Sequence, residues 1–127
     1  MKYKIEVNIV PQEQIRNNGL GDYFFEHGKL VFNIADTKHP LYTKLILIHE
    51  LIEQTLTEAK GIKESDINIY DKRFEVLYPD SNEEPGEMHD CPYRNEHTVS
   101  EAIERILCAY LGIDFKQYND YIIKLVD

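Results

Sequence analysis

Two cysteines in 127 residues, Cys91 and Cys108, are too few for the multi-bridge framework that staples a small secreted scaffold. A chain without that framework is expected in a reducing compartment, here the cytoplasm. Basic residues are scarce as well: 14 Lys and Arg stand against 23 Asp and Glu, a net charge of −9. A nucleic-acid binder needs a basic stripe to displace counterions from phosphates, and a peripheral membrane protein needs one to meet anionic lipid. Neither partner is therefore expected. No apolar run approaches the roughly 18 residues of a membrane span. The N-terminal residues alternate charge with bulk, unlike a signal peptide. Also missing are a glycine-rich phosphate loop, a G-x-S-x-G elbow and the paired E-x-x-H set of a di-iron bundle. Without repeats or low-complexity tracts, positions 1–127 read as one domain.

The apolar fraction, 43%, is enough to build a core. Tyr3, Ile5, Val7 and Ile9 recur at period 2 between Lys4, Glu6 and Asn8, which predicts a half-buried strand. Asn17-Asn18-Gly19 and Gly21 predict a turn. Tyr23–Glu26 and Lys29–Ile34 flank His27-Gly28, the pattern of a β-hairpin. Beyond Ile34 the period becomes helical. Asp36 or Thr37 is the expected cap, Pro40 suits the first turn, and Leu45, Ile48, Ile52, Leu56 and Ala59 form a stripe that Gly61 stops. Ile46, Leu47 and Leu51 add apolar bulk on other faces, so this helix is expected inside the protein.

A short helix capped by Ser65 and reaching Leu77 is expected next, with a strand over Ile67-Asn68-Ile69-Tyr70 as the alternative, followed by an irregular stretch from Pro79 to Pro92. Thr98 and Glu101 match a capping box, and Val99, Ala102, Ile103, Ile106, Leu107, Tyr110 and Leu111 form an apolar stripe ending at Gly112. Asp114 caps a last helix whose Phe115, Tyr118, Ile122 and Leu125 face the core. The expected fold is α+β: an N-terminal three-stranded antiparallel or mixed sheet packed against three to four helices.

Chemistry is concentrated in Leu45-Ile46-Leu47-Ile48-His49-Glu50-Leu51-Ile52-Glu53. An imidazole and two carboxylates inside an apolar helix must neutralise, pair or bind a cation, because bare buried charge costs several kcal/mol. His49 and Glu53, four apart, share a helix face and can point at one ion. Glu50, a third of a turn away, falls within reach of an activated water. This is the H-E-x-x-H arrangement of a zinc hydrolase with its second ligand changed to Glu. The cofactor expected is a divalent metal, Zn, held by His49, Glu53 and a third ligand, with Glu50 as the catalytic base.

His97 is the favoured third ligand because a rigid helix start holds it; His89, Asp90 and Glu101 are alternatives. Glu84, Glu87 and Glu96 are further candidates for that ligand, Glu104 shares the helical face of His97 with Glu101, and Tyr78 or Tyr93 is available to hydrogen-bond an oxyanion. His27 and His39 read as exposed turn residues.

The residues Ile48-His49-Glu50-Leu51-Ile52-Glu53, Lys60-Gly61-Ile62, Glu84-Pro85-Gly86, Asp90-Cys91-Pro92-Tyr93, Glu96-His97 and Leu111-Gly112-Ile113-Asp114 resemble a family of small bacteriophage and prophage proteins. The resemblance runs from about Leu45 to the C-terminus. The first of these helices is also similar to the active-site helix of minimal zincin metallopeptidases, departing from them in having Glu53 where a histidine usually stands. What the resemblance implies is a zincin-like metal site more than a substrate; the leading reading is a metal-dependent hydrolase, a peptidase, with a peptide or protein as its expected substrate. On this reading residues 29–34 offer an edge for an extended peptide, and Pro79 to Pro92 form a flap. A metal-stapled accessory protein without turnover is the alternative, with His89 or Asp90 closing the site. Acidic mimicry of nucleic acid would need charge gathered on one face, whereas Lys and Arg are interspersed through most segments.

Overall fold

A computed structural model of the protein describes residues 3–81 and 83–126. Three strands precede four helices: β1 (Lys4–Val10), β2 (Gly21–Glu26), β3 (Lys29–Ala35), α1 (Pro40–Ala59), α2 (Glu64–Leu77), α3 (Arg94–Tyr110) and α4 (Phe115–Ile123). The class is α+β, as the pattern predicts. Between β2 and β3 the chain turns at His27 and Gly28, both with positive φ (52° and 75°). That pair of left-handed residues matches the twist of a two-residue hairpin, where Gly carries no steric penalty.

The sheet is mixed, with strand order β1-β3-β2. β3 runs antiparallel to β2 and parallel to β1, with Ile5 opposite Leu30, Val7 opposite Phe32 and Ile9 opposite Ile34. β3 is thus the central strand, and the expectation that it offers a free edge is corrected: β1 and β2 are the edges. Leu30, Phe32 and Ile34 of β3 are fully buried, and they form the core with Leu45 and Ile46 of α1, Ile67 of α2 and Tyr118 and Ile122 of α4.

β1 departs from the half-buried reading. Ile5, Val7 and Ile9 are 55%, 43% and 51% exposed. They share the face of Leu30, Phe32 and Ile34, but α1 packs over β3 and β2, leaving this outer strand beyond the helix cover.

Two helix caps move. His39, not Asp36 or Thr37, caps α1, accepting from the Tyr42 N–H, while Asp36 and Thr37 instead bond the backbone of Lys38 and His39. Lys63 rather than Ser65 precedes α2. Helix α3 starts at Arg94, four residues before Thr98, whose hydroxyl donates back to the Arg94 carbonyl, so the expected capping box at Thr98 does not form. Asp114 caps α4 as expected, accepting from Gln117 N at 3.0 Å.

The larger correction concerns which face of α3 is inside. His97, Ser100, Glu104 and Cys108 are buried, whereas Val99, Ile106 and Tyr110 of the apolar stripe are 46%, 66% and 88% exposed. α3 turns a polar face to α1 because that face is satisfied there: Ser100 Oγ donates to the His49 carbonyl at 2.6 Å, and Glu104 bonds the His49 ring. α1 answers with polar groups of its own, burying His49, Glu53, Gln54 and Thr57. No helix among the described residues is long and apolar enough to cross a membrane.

Candidate metal centre

His49 and Glu53 project from one face of α1 towards His97 in the first turn of α3. The three side chains are 9%, 8% and 5% exposed. Each offers one ligand atom, and these atoms lie within 4.8 Å of one another. His49 Nε2 stands 3.5 Å and His97 Nδ1 2.9 Å from the same oxygen, Glu53 Oε2. Tetrahedral ligands at bonds of about 2.0–2.1 Å are about 3.3 Å apart, so small adjustments bring this trio to a single ion. The group can hold a metal ion. None of the three points into solvent, and among the described residues no Lys or Arg pairs with them.

Behind each imidazole stands a carboxylate. Glu104 Oε1 lies 2.8 Å from His49 Nδ1, and Tyr118 donates its hydroxyl to the other oxygen of Glu104. Glu84 Oε2 approaches His97 Nε2 to 3.1 Å, but off the ring's N–H direction, so His97 Nε2 is a buried polar atom without a hydrogen bond. Tyr23 of β2 donates to Glu53 Oε1 at 3.0 Å, which leaves Oε2 to face the two rings. Carboxylates and hydroxyls of this kind fix ring orientation and ligand basicity at metal sites.

The electrostatics are those of trapped protons. Burial opposes charge on His49, yet its contacts with Glu104 and Glu53 outweigh it and hold the imidazole well above its ordinary range. Burial likewise opposes charge on His97, but Glu53 and Glu84 push it up to about 10. Glu53, despite burial, is drawn down to about 2 by the two rings. Two protonated imidazoles put two positive charges where one divalent cation would supply the same pair, so the surrounding carboxylates suit such an ion.

Glu50 lines the cavity of about 150 Å³ that also borders His49, Glu53 and His97. Its side chain presses on β2 so closely that a Cβ on Gly21 would stand 2.5 Å from Glu50 Cγ. Burial, reinforced by the charge of Glu53, pushes the Glu50 carboxyl well above its usual range. A second glycine is equally tight: a Cβ on Gly86 would stand 2.4 Å from His97 Cγ. Gly86 belongs to a single 3-10 turn, Pro85–Glu87, inside the otherwise irregular stretch, and residues 79, 81 and 83–86 form one wall of the cavity.

Of the alternative third ligands, none joins the trio. His89 and Asp90 are exposed, Asp90 accepting from Tyr70 OH at 2.6 Å, and Glu101 faces Arg105 at 3.8 Å. Tyr78 and Tyr93 both line the cavity, but the Tyr93 hydroxyl is committed to Asp71. Tyr23 is a participant that the sequence pattern gave no reason to single out: its position on a strand carries no signal of the Glu53 contact. Glu104, which the sequence places on the helical face of His97, stands behind His49 and not among the trio. Both cysteines are free and buried. No family model matches the sequence, and no curated protein or solved structure matches it either.

Proposed function

We propose that the chain is a zincin-like metal-dependent hydrolase acting on peptides, with zinc held by His49, Glu53 and His97 and Glu50 as the general base. The observation that supports this most is the buried trio itself, with a separate carboxylate behind each imidazole. Bound there, zinc would supply Lewis-acid polarisation and lower the pKa of a water. His49 and His97 bind as neutral imidazoles, Glu104 and Glu84 orienting them from behind. Tyr23 holds Glu53 so that Oε2 faces inward. Glu50 takes the proton at its carboxylate and later returns it to the leaving amine.

The peptide strand is assigned to β2, since β3 is central. Tyr23, Gly21 and Asp22 border the cavity, and towards the far end of β2 Glu64 Oε2 accepts from Phe25 N at 3.0 Å. An extended substrate pairing with the rest of the outer edge of β2 would pass the trio. A phage or prophage setting for such an activity rests on the sequence resemblance alone.

A second reading is a closed structural site, in which Glu84, whose Oε2 stands 3.1 Å from His97 Nε2 behind the ring, would swing round to the ion as a fourth protein ligand. Metal analysis of the purified protein together with Glu50→Gln separates them. On the leading reading E50Q retains zinc and loses peptide hydrolysis by about 10²–10⁴-fold. Unchanged hydrolysis in E50Q removes the general base; zinc without hydrolysis in either protein favours the staple; no divalent metal in the wild type ends both.

A further inference from the structure

The outer edge of β1 pairs with nothing among the described residues, and its apolar face is bare. We propose that this strand is the contact between two copies of the chain, joined by antiparallel β1–β1 pairing about a two-fold axis at Val7, into a continuous six-stranded sheet. This is independent of the metal centre.

The backbone permits it. The Val10 carbonyl accepts from Asp36 N, at the end of β3, so Val10 points its polar groups inward across the sheet. Directions alternate along a strand, so Ile5, Val7 and Ile9 direct N–H and C=O outward. With Val7 opposite Val7 of the second copy, Ile5 falls opposite Ile9. The Val7–Val7 pair and the two Ile5–Ile9 pairs then each exchange two hydrogen bonds.

Side chains select the same register. Ile5, Val7 and Ile9 lie on one face and would meet Ile9, Val7 and Ile5 in a continuous apolar seam, while Glu6 falls opposite Asn8 on the other face. Within one chain Asn8 Nδ2 already donates to Glu6 Oε2 at 3.1 Å, so the groups are chemically matched. Sliding the pairing by two residues in one direction puts Glu6 against Glu6, a like-charge pair; in the other it puts Asn8 against Asn8 and leaves Glu6 facing Val10. The seven residues of β1 include no proline and no bulge in their pairing with β3, the usual devices that blunt an edge.

Sedimentation equilibrium of the full chain, from micromolar to millimolar concentration, is the test. The expected result is a dimer of twice 15.0 kDa. Val7→Lys, which sets two lysines against each other at the axis, should raise its dissociation constant at least about tenfold while leaving the far-ultraviolet circular dichroism unchanged. Ile5→Lys should do the same, and serves if the first variant does not fold. A wild type that stays monomeric overturns the proposal. So does a dimer indifferent to both lysines, including one that Ile106→Glu, on the exposed face of α3, dissociates instead.

Discussion

Glu104 Oε1 on α3 sits 2.8 Å from His49 Nδ1 on α1, fifty-five residues apart in sequence, and fixes which nitrogen of that ring faces the cavity. Glu104→Gln keeps the shape and removes the charge. Metal affinity is expected to fall about 10–100-fold, the usual effect of losing a carboxylate behind a ligating histidine. Competition with a chromophoric chelator measures it. An affinity unchanged in E104Q would mean that His49 does not ligate through the opposite nitrogen.

Metal uptake should release protons. In the ion-free protein His97 is raised to about 10 and His49 well above its ordinary range, so at neutral pH both rings carry a proton that an ion must displace. About two protons per ion are expected, and affinity should climb as pH rises through the neutral range towards the raised values. Titration with zinc in weakly buffered solution containing a pH indicator reads both. Uptake without proton release would contradict the protonated pairs.

The two crowded glycines should separate binding from turnover. Gly86→Ala drives a methyl into the His97 ring, and Gly21→Ala drives one into the Glu50 side chain; neither glycine has a positive φ, so the effect is steric alone. G86A is expected to lose metal affinity and about 1–3 kcal/mol of stability. G21A should keep its metal and lose hydrolysis. Equal metal loss in both variants would break the separate placement of base and ligands.

Asp71 predicts a pH-dependent stability. Burial, opposed by the Tyr93 hydrogen bond and aided by Glu53 and Asp22, pushes its carboxyl up to about 7 from 3.8. Between those values the folded protein holds a proton that the unfolded chain has released. Its contribution is therefore fully present below about pH 4 and lost as pH rises to about 7, by at most about 4 kcal/mol. Asp71→Asn should flatten that part of the profile, in denaturant melts of wild type and variant at equal metal loading. Parallel profiles would show that Asp71 titrates normally.

The candidate site on α1 was legible in the sequence because its composition conflicted with its surroundings. Carboxylates do not sit among Ile46, Leu47 and Ile48 without a reason, and spacing alone put His49 and Glu53 on one face. The hairpin and the Asp114 cap were equally readable, being set by local backbone chemistry. α3 was misread for a tertiary reason. Its apolar stripe predicts burial of Val99 and Ile106, but the hydrogen-bonded face of His97, Ser100 and Glu104 prevails because α1 offers matching polar groups. A single helix's periodicity does not contain that match. β1 failed in the same way: alternation identifies a strand, while its place at the edge depends on where α1 comes to rest.

The strand order also bears on how the chain acquires its shape. β2 and β3 are neighbours in sequence and close through a two-residue turn, a step of microseconds in hairpins. β1 must wait, because its partner among the described residues of the chain, β3, lies on the far side of that hairpin, and its parallel pairing closes a loop of about 25 residues. The hairpin is thus the early scaffold and the first strand a late arrival. In hydrogen exchange of the dissociated monomer the amides of β1 should open before those of β3, making that edge strand the first part of the sheet to come away.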